Sequence, residues 1–313
     1  MDPAPTITAP STANTPATPM GPTSLFSIAT LIWGSTWLAI TFQLGVVSPE
    51  ASVVYRFALA ALLLGAWCLA TGRSLRFPLA QHGWFVAQGT FLFGLNYLCV
   101  YWAERYVASG LVAVMFSLIV FLNLIGVRVF FAAPINRRTL VGAILGVTGV
   151  VLLFWRDFSA AQTDAALGIL FGVGATVLAS IGNMLAVRSQ RRSVPLLPGV
   201  AWAMGYGALV IALVAQLDGA AWSFEATPSY VLSLLYLTVF GSVVAFGTYL
   251  TLLGRIGVAR AGYVGVAVPV VALLLSTVFE HYEWTLPALI GAGLCVAGNL
   301  LVLMPQRGQT TIS

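Results

Sequence analysis

Residues 140–152 read LVGAILGVTGVVL, and residues 289–301 read LIGAGLCVAGNLL. Leu140, Gly142, Ala143, Val147, Gly149 and Leu152 of the first recur at one constant offset as Leu289, Gly291, Ala292, Val296, Gly298 and Leu301 of the second. Neither stretch carries a charge, and glycines spaced three or four apart on an apolar helix form a flat face that lets another backbone approach. Working outward from them, the chain from Leu25 to Met304 is a succession of apolar runs of about 20 residues, the length that crosses a hydrocarbon core of about 30 Å. The runs lie near 24–44, 49–71, 83–103, 107–131, 138–156, 165–187, 195–217, 229–253, 258–279 and 285–304, which makes ten expected spans. With 59% hydrophobic and 7% charged residues, the chain is excluded from the soluble globular class, where charged side chains make up about a quarter. The runs do not alternate apolar and polar residues, which excludes a transmembrane β-barrel.

Ten spans divide as five plus five, and an odd number per half inserts the halves in opposite orientations. The expected fold is therefore an all-α integral membrane protein, ten transmembrane helices arranged as a five-plus-five inverted repeat. Its parts are an N-terminal tail over 1–23, a first repeat over 24–156, a second over 165–304 and a C-terminal tail over 305–313. The tail over 1–23 is rich in Pro and Thr and has no Lys or Arg, so it lacks the cationic region of a secretory signal and is expected to be a disordered cytoplasmic segment.

Charge sets the orientation. With the N-terminus inside, Arg73, Arg76, Arg128, Arg137, Arg138, Arg188, Arg191, Arg192, Arg255, Arg260 and Arg307 are cytoplasmic, and only Arg105 and Arg156 lie at outer ends. That is the positive-inside distribution. The acids oppose it: Glu50, Glu104, Asp157, Asp164, Asp218, Glu225, Glu280 and Glu283 all fall outside. Both termini are expected in the cytoplasm. The 14 basic residues, all arginine, form no face that could track phosphates, so a nucleic-acid partner is excluded. Cys68, Cys99 and Cys295 sit in apolar runs with no CxxC and no His nearby, which supports neither a disulfide framework nor a metal site; no cofactor is implied.

Several short elements together resemble a known family. Trp33-Gly34-Ser35-Thr36-Trp37 in span 1, Pro49 with Arg56 in span 2, and Tyr101-Trp102-Ala103, Tyr106 and Ala108-Ser109-Gly110 at the junction of spans 3 and 4 come in order. Arg255-Ile256-Gly257, Ala259, Pro269, Gly291-Ala292 and Gly298 close the series. In this order and spacing they resemble the EamA-type transporters of the drug/metabolite transporter superfamily over residues 25–304, and most of all the bacterial amino-acid exporters. The resemblance implies an exporter of the inner membrane. Two departures stand out: span 4 lacks the proline that span 9 has in Pro269, and the Gly-Glu that usually ends these spans is Ala132-Ala133-Pro134 in one half and Phe279-Glu280 in the other.

Polar side chains on apolar spans mark surfaces turned away from lipid. Span 1 offers Thr30, Gly34, Trp37 and Thr41; span 3 offers Asn96, Tyr97 and Tyr101; span 6 offers Gly172, Thr176, Ser180 and Asn183; span 8 offers Thr238, Ser242, Ala245 and Tyr249. A Ser or Thr can instead bond back to its own helix, whereas an amide in hydrocarbon costs kilocalories if unpaired, which singles out Asn96 and Asn183. Trp84, Trp102, Trp155, Trp222 and Trp284 sit at span ends, as interfacial tryptophans do. Trp33 and Trp37 lie mid-span on one face. Pro269, with Gly262 and Gly265, allows a bend that suits a gating helix. The expected substrate-facing set is Trp33, Trp37, Asn96, Tyr97, Tyr101, Ser180, Asn183, Tyr249 and Tyr263, with spans 1, 3, 4, 6, 8 and 9 lining the route and spans 5 and 10 at the periphery.

Arg56 is the one ionisable side chain clearly within a span, read here as a structural ion pair or an outer-interface snorkel with Glu50 or Glu104. No carboxylate lies near the midplane, which disfavours a proton-coupled exporter of lipophilic cations. A weakly polar aromatic chamber suits neutral or zwitterionic metabolites. The expected function is uncoupled export of amino acids, hydrophobic ones included, by alternating access. Other small metabolites or drugs as cargo, and a non-transporting scaffold or sensor, are the alternatives. An enzyme is disfavoured because His82 and His281 fall on opposite faces and no titratable groups converge.

Overall fold

The computed structural model describes residues 20–132, 137–155 and 163–304, with only the backbone of Thr163, Leu250, Gly254 and residues 257–260. Most of the expected N-terminal tail, the C-terminal tail, Ala133, Pro134, Arg156, Asp157 and Arg307 lie outside the described residues.

The described chain is helical. The helices are α1 (Pro22–Thr41), α2 (Pro49–Ala70), α3 (Leu79–Gln88), α4 (Asn96–Ala103), α5 (Ser109–Phe116), α6 (Ile119–Phe131), α7 (Arg137–Leu153), α8 (Thr163–Arg191), α9 (Leu196–Leu217), α10 (Pro228–Leu235), α11 (Ala245–Ala261), α12 (Val264–Phe279) and α13 (Leu286–Leu303). Two π-helical stretches, Gly89–Leu95 and Tyr236–Val244, join α3 to α4 and α10 to α11 without a break. Starts are written locally. Ser48, Thr227 and Thr285 each accept a backbone N–H of the first turn, and Pro49 and Pro228 follow the first two of these caps at once, where a missing N–H costs nothing.

Among the described residues, seven helical segments are long and apolar enough to cross a membrane, and Val264–Phe279 is a shorter apolar helix. Several boundaries differ from expectation. α1 begins at Pro22 and ends at Thr41, α8 continues to Arg191, and α11 runs on to Ala261, so residues 258–261 close one helix instead of opening the next. Polar residues prolong a helix past its apolar run because backbone hydrogen bonding does not stop where hydrophobicity does.

The two stretches that opened the sequence analysis meet face to face. A Cβ built on Gly142 would lie 2.8 Å from the Gly298 carbonyl oxygen, and one on Gly149 would lie 2.5 Å from that of Gly291. Cys295 Sγ sits between these contacts, 3.4 Å from the Gly146 carbonyl oxygen. α7 and α13 are therefore antiparallel and in backbone contact, with Leu140, Ile144, Val147, Leu289 and Ile290 exposed on the outer side. Cys295 and Cys68 are buried free thiols that fill space between helices.

The π stretches shape the centre. An extra residue per turn leaves backbone carbonyls out of register, and side chains take them up: Ser242 Oγ donates to the Leu237 carbonyl oxygen (3.0 Å) and Trp33 Nε1 to that of Gly241 (3.2 Å). Gly89 and Gly94 bring the other π stretch onto the backbone of α9 at Ala203 and Gly207. Where span 4 lacks a proline the helix is nevertheless interrupted, at Ser117-Leu118 between α5 and α6. Asn299 Nδ2 donates to Ser117 Oγ across 3.3 Å, and a cavity of about 30 Å³ lies there between Val114, Ser117, Pro269, Leu273 and Asn299.

Candidate functional site

The expected site residues fall into distinct neighbourhoods. Trp33 of α1 packs on Phe246 (5.3 Å between ring centroids) and Tyr249 (5.1 Å) of α11, while its N–H is held by the π stretch. One turn on, Trp37 packs on Phe116 at the end of α5 (5.4 Å). Tyr97 meets Phe57 of α2 (4.6 Å). Tyr101 is fully buried, and its hydroxyl donates to Gln43 Oε1 over 2.6 Å. Asn183 Nδ2 faces Asn123 Oδ1 across 3.3 Å, joining α8 to α6. Asn96 is buried and donates to its own Leu92 carbonyl, leaving Oδ1 without a partner. Ser180 is buried in α8, Tyr263 is the half-buried cap of α12, and Pro269 is buried within α12.

The hydroxyl and glycine stripes divide. Thr36, Thr41 and Thr176 bond back to their own helices at 2.7–2.8 Å, and Gly34 and Gly172 are packing positions against Val271 and Met115. Thr30 Oγ1 and Thr238 Oγ1 are buried and unpartnered.

Arg56 departs from expectation. It is 2% exposed, so it does not snorkel. Its guanidinium lies over the rings of Tyr97 (4.7 Å) and Phe57 (5.1 Å), and Nε and Nη1 have no hydrogen-bond partner. Glu50, one expected partner, instead accepts the Trp102 indole N–H at 3.1 Å. Glu104, the other, is 8% exposed with both oxygens unpartnered. Arg56 is held by aromatic faces because α2 turns it inward onto the ring that α4 supplies, and cation–π contact replaces the missing carboxylate.

Glu104 stands just past the end of α4, outside the apolar run. Burial, and secondarily the charge of Glu280, hold its carboxyl well above the usual carboxylate range, opposed by Arg56. An acid whose folded pKa exceeds its unfolded pKa stabilises the fold below the unfolded value, and that contribution is lost as pH rises through the folded one. The detergent-purified protein is thus expected to lose thermal stability as pH is raised from acidic to alkaline. Glu104→Gln should flatten that profile; an unchanged slope would assign it to another group.

Glu280 is organised differently. Its carboxylate accepts the Ser109 backbone N–H (3.1 Å), the Ser109 hydroxyl (2.5 Å) and the Ser276 hydroxyl, while Ser276 Oγ also accepts the Gly110 N–H at 2.7 Å. An acid of α12 thereby caps the N-terminus of α5, which has no side-chain cap of its own.

The reading of polar stripes missed Gln43, Asn123, Glu104, Glu280 and Asn299. Asn123 and Asn299 are amides inside apolar runs just as Asn96 and Asn183 are. The two glutamates were counted among the outer acids, and nothing local distinguishes an acid turned into the bundle from one facing water.

A helical bundle with apolar spans and inward-facing aromatic and polar side chains belongs to the class of multi-pass membrane proteins. Comparison with known proteins places it further: the chain belongs to the EamA-like transporter family, whose model matches residues 22–155 and again residues 166–304. Protein PagO of Salmonella typhimurium is 24% identical over 295 residues, covering 92% of this chain and 94% of PagO. An uncharacterized transporter of Archaeoglobus fulgidus is 24% identical over 289 residues, with 89% and 97% covered. The uncharacterized inner membrane transporter YedA of Escherichia coli is 28% identical over 282 residues, 88% of each chain. A crystal structure shares the fold at a TM-score of 0.63 and 22% identity, covering 90% of this chain and 96% of that one.

Proposed function

We propose that this transporter exports small neutral or zwitterionic metabolites, amino acids with apolar side chains foremost, across the inner membrane by uncoupled alternating access. The observation that carries the reading is a set of interior aromatic contacts, Trp33 on Tyr249, Trp37 on Phe116 and Tyr97 over Arg56, beside unpartnered buried polar atoms, in a chain whose apolar runs carry no Asp or Glu near mid-span. Rings accept apolar side chains of varied shape, and fixed dipoles meet the two charged groups of an amino acid.

The architecture we propose is ten spans in two inverted halves, over 24–156 and 165–304, with both termini in the cytoplasm. The glycine contacts support it. Replacing each residue of the Gly149–Gly291 contact by its repeat counterpart yields the Gly298–Gly142 contact, as a two-fold axis through the α7–α13 crossing requires. The paired π stretches and the two matches of the family model agree with this. Trp33, Trp37, Asn96, Tyr97, Tyr101, Ser180, Asn183, Tyr249 and Tyr263 are the proposed lining and Pro269 the proposed bend.

Efflux of labelled leucine from proteoliposomes tests the function. It is expected to saturate, to be unaffected by an imposed pH gradient, and to fall at least about tenfold in Trp33→Ala, the equivalent of about 1.4 kcal/mol. Strict dependence on the gradient would defeat the uncoupled reading, and no flux for any amino acid would leave other metabolites or a scaffold role.

A further inference from the structure

We propose that Arg56 is the seat of the substrate's carboxylate. This rests on the amino-acid carrier reading and deepens it. A guanidinium withdrawn from water with most of its donors unbonded within a bilayer is costly. A chain that retains one gains from it when a partner arrives during the working cycle. Arg56 is 2% exposed, is clasped by two rings that supply no acceptor, and leaves Nε and Nη1 unbonded. Its Nη2 lies 3.7 Å from the point a Cβ on Gly241 would occupy. The guanidinium edge is thus turned to the π stretch, at the one residue there with no side chain, whose carbonyl is already engaged by Trp33.

A donor beside it is unspent as well. Tyr101 spends its hydroxyl on Gln43 Oε1, leaving Gln43 Nε2 buried without a partner. Tyr101, whose hydroxyl also lies within hydrogen-bonding reach of Arg56, and Glu104 both feel the Arg56 charge, yet both Glu104 oxygens remain without a hydrogen-bond partner. The planar fork of an arginine matches a carboxylate through two parallel bonds. Glu104, whose two oxygens have no hydrogen-bond partner, offers acceptors for an ammonium group. Unbonded guanidinium donors and unbonded carboxyl oxygens in one aromatic interior are the complement of an α-amino acid.

The experiment is counterflow of labelled leucine in liposomes reconstituted with the full chain, with unlabelled leucine or leucinamide as competitor. Leucinamide keeps the side chain and the ammonium group and lacks only the carboxylate. Leucinamide is expected to compete at least about tenfold more weakly than leucine, on the scale of a charge-assisted hydrogen bond; equal competition overturns the seat while leaving the carrier reading intact. This arm needs no variant and so no assumption about folding. Arg56→Gln should lose leucine counterflow and Arg56→Lys should retain part of it, since a point charge lacks the fork. If Arg56 serves only as counter-ion to Glu104, adding Glu104→Gln to Arg56→Gln restores flux and overturns the proposal; continued loss supports it. Absence of leucine counterflow in the unmodified protein defeats the carrier reading and the seat together.

Discussion

Gly291→Leu is expected to abolish accumulation of folded protein, whereas Gly293→Leu, two residues further along the same helix, is expected to be tolerated. At Gly291 a Cβ would strike the Gly149 carbonyl oxygen and lie 2.9 Å from the Leu153 backbone nitrogen. Overpacking a core of side chains costs about 1–3 kcal/mol because neighbours can rotate away. A neighbouring backbone cannot rotate away, so the two helices must separate along their whole crossing, and the loss should reach or exceed the top of that range. Gly293 is exposed with nothing within 4 Å, and leucine there meets lipid and removes the entropic penalty of a mid-helix glycine. Thermal unfolding followed by size-exclusion chromatography in detergent checks both variants. Equal midpoints for the two would mean that the α7–α13 crossing does not hold the bundle together.

Glu280→Ala is the second large effect, expected at about 3 kcal/mol, the scale on which removing one partner strands buried charged-group hydrogen bonds. It takes away the acceptor for the Ser109 N–H, the Ser109 hydroxyl and the Ser276 hydroxyl together. It also removes the negative group at the N-terminus of α5, where a carboxylate is favoured by the helix dipole. Glu280→Gln keeps an acceptor oxygen and should recover part of the loss, so the order of midpoints, unmodified above Gln above Ala, is the diagnostic. Transport should fall with stability, because the carboxylate ties α5 to α12 at one end of the bundle. A Glu280→Ala protein as stable as the unmodified one would remove Glu280 from that role.

Individual residues show how far local reading reached. Trp33 was singled out because a tryptophan in mid-span has left its preferred interface, and it packs on Tyr249, another residue chosen from its own helix alone. The recurrence around Gly142 and Gly149 predicts a close-packing face without saying what meets it; the partner is the matching stretch around Gly291 and Gly298. Arg56 reads from the sequence as an ion pair with Glu50 or Glu104 or as an interfacial snorkel, because an arginine near a span end can reach water along its own stem. That depends on which way α2 is rotated, and the rotation is set by Phe57, Phe93 and Tyr97 packing together. The π stretches are silent in the sequence, since Gly89–Leu95 and Tyr236–Val244 read as ordinary apolar helix.

By itself the sequence determined that this chain lives in a bilayer and crosses it repeatedly, because hydrophobic length and charge scarcity act locally and need no partner. It also determined where the helices can approach most closely, since a missing side chain is a property of the residue. Only the tertiary structure decided which polar groups share one interior and which remain unpaired. Gln43 after α1, Arg56 in α2, and Tyr101 with Glu104 at the end of α4 come from three separate segments of the chain, and their relation depends on how each is turned and how deeply it sits. Helix rotation is a collective outcome of packing, and no single apolar run encodes it.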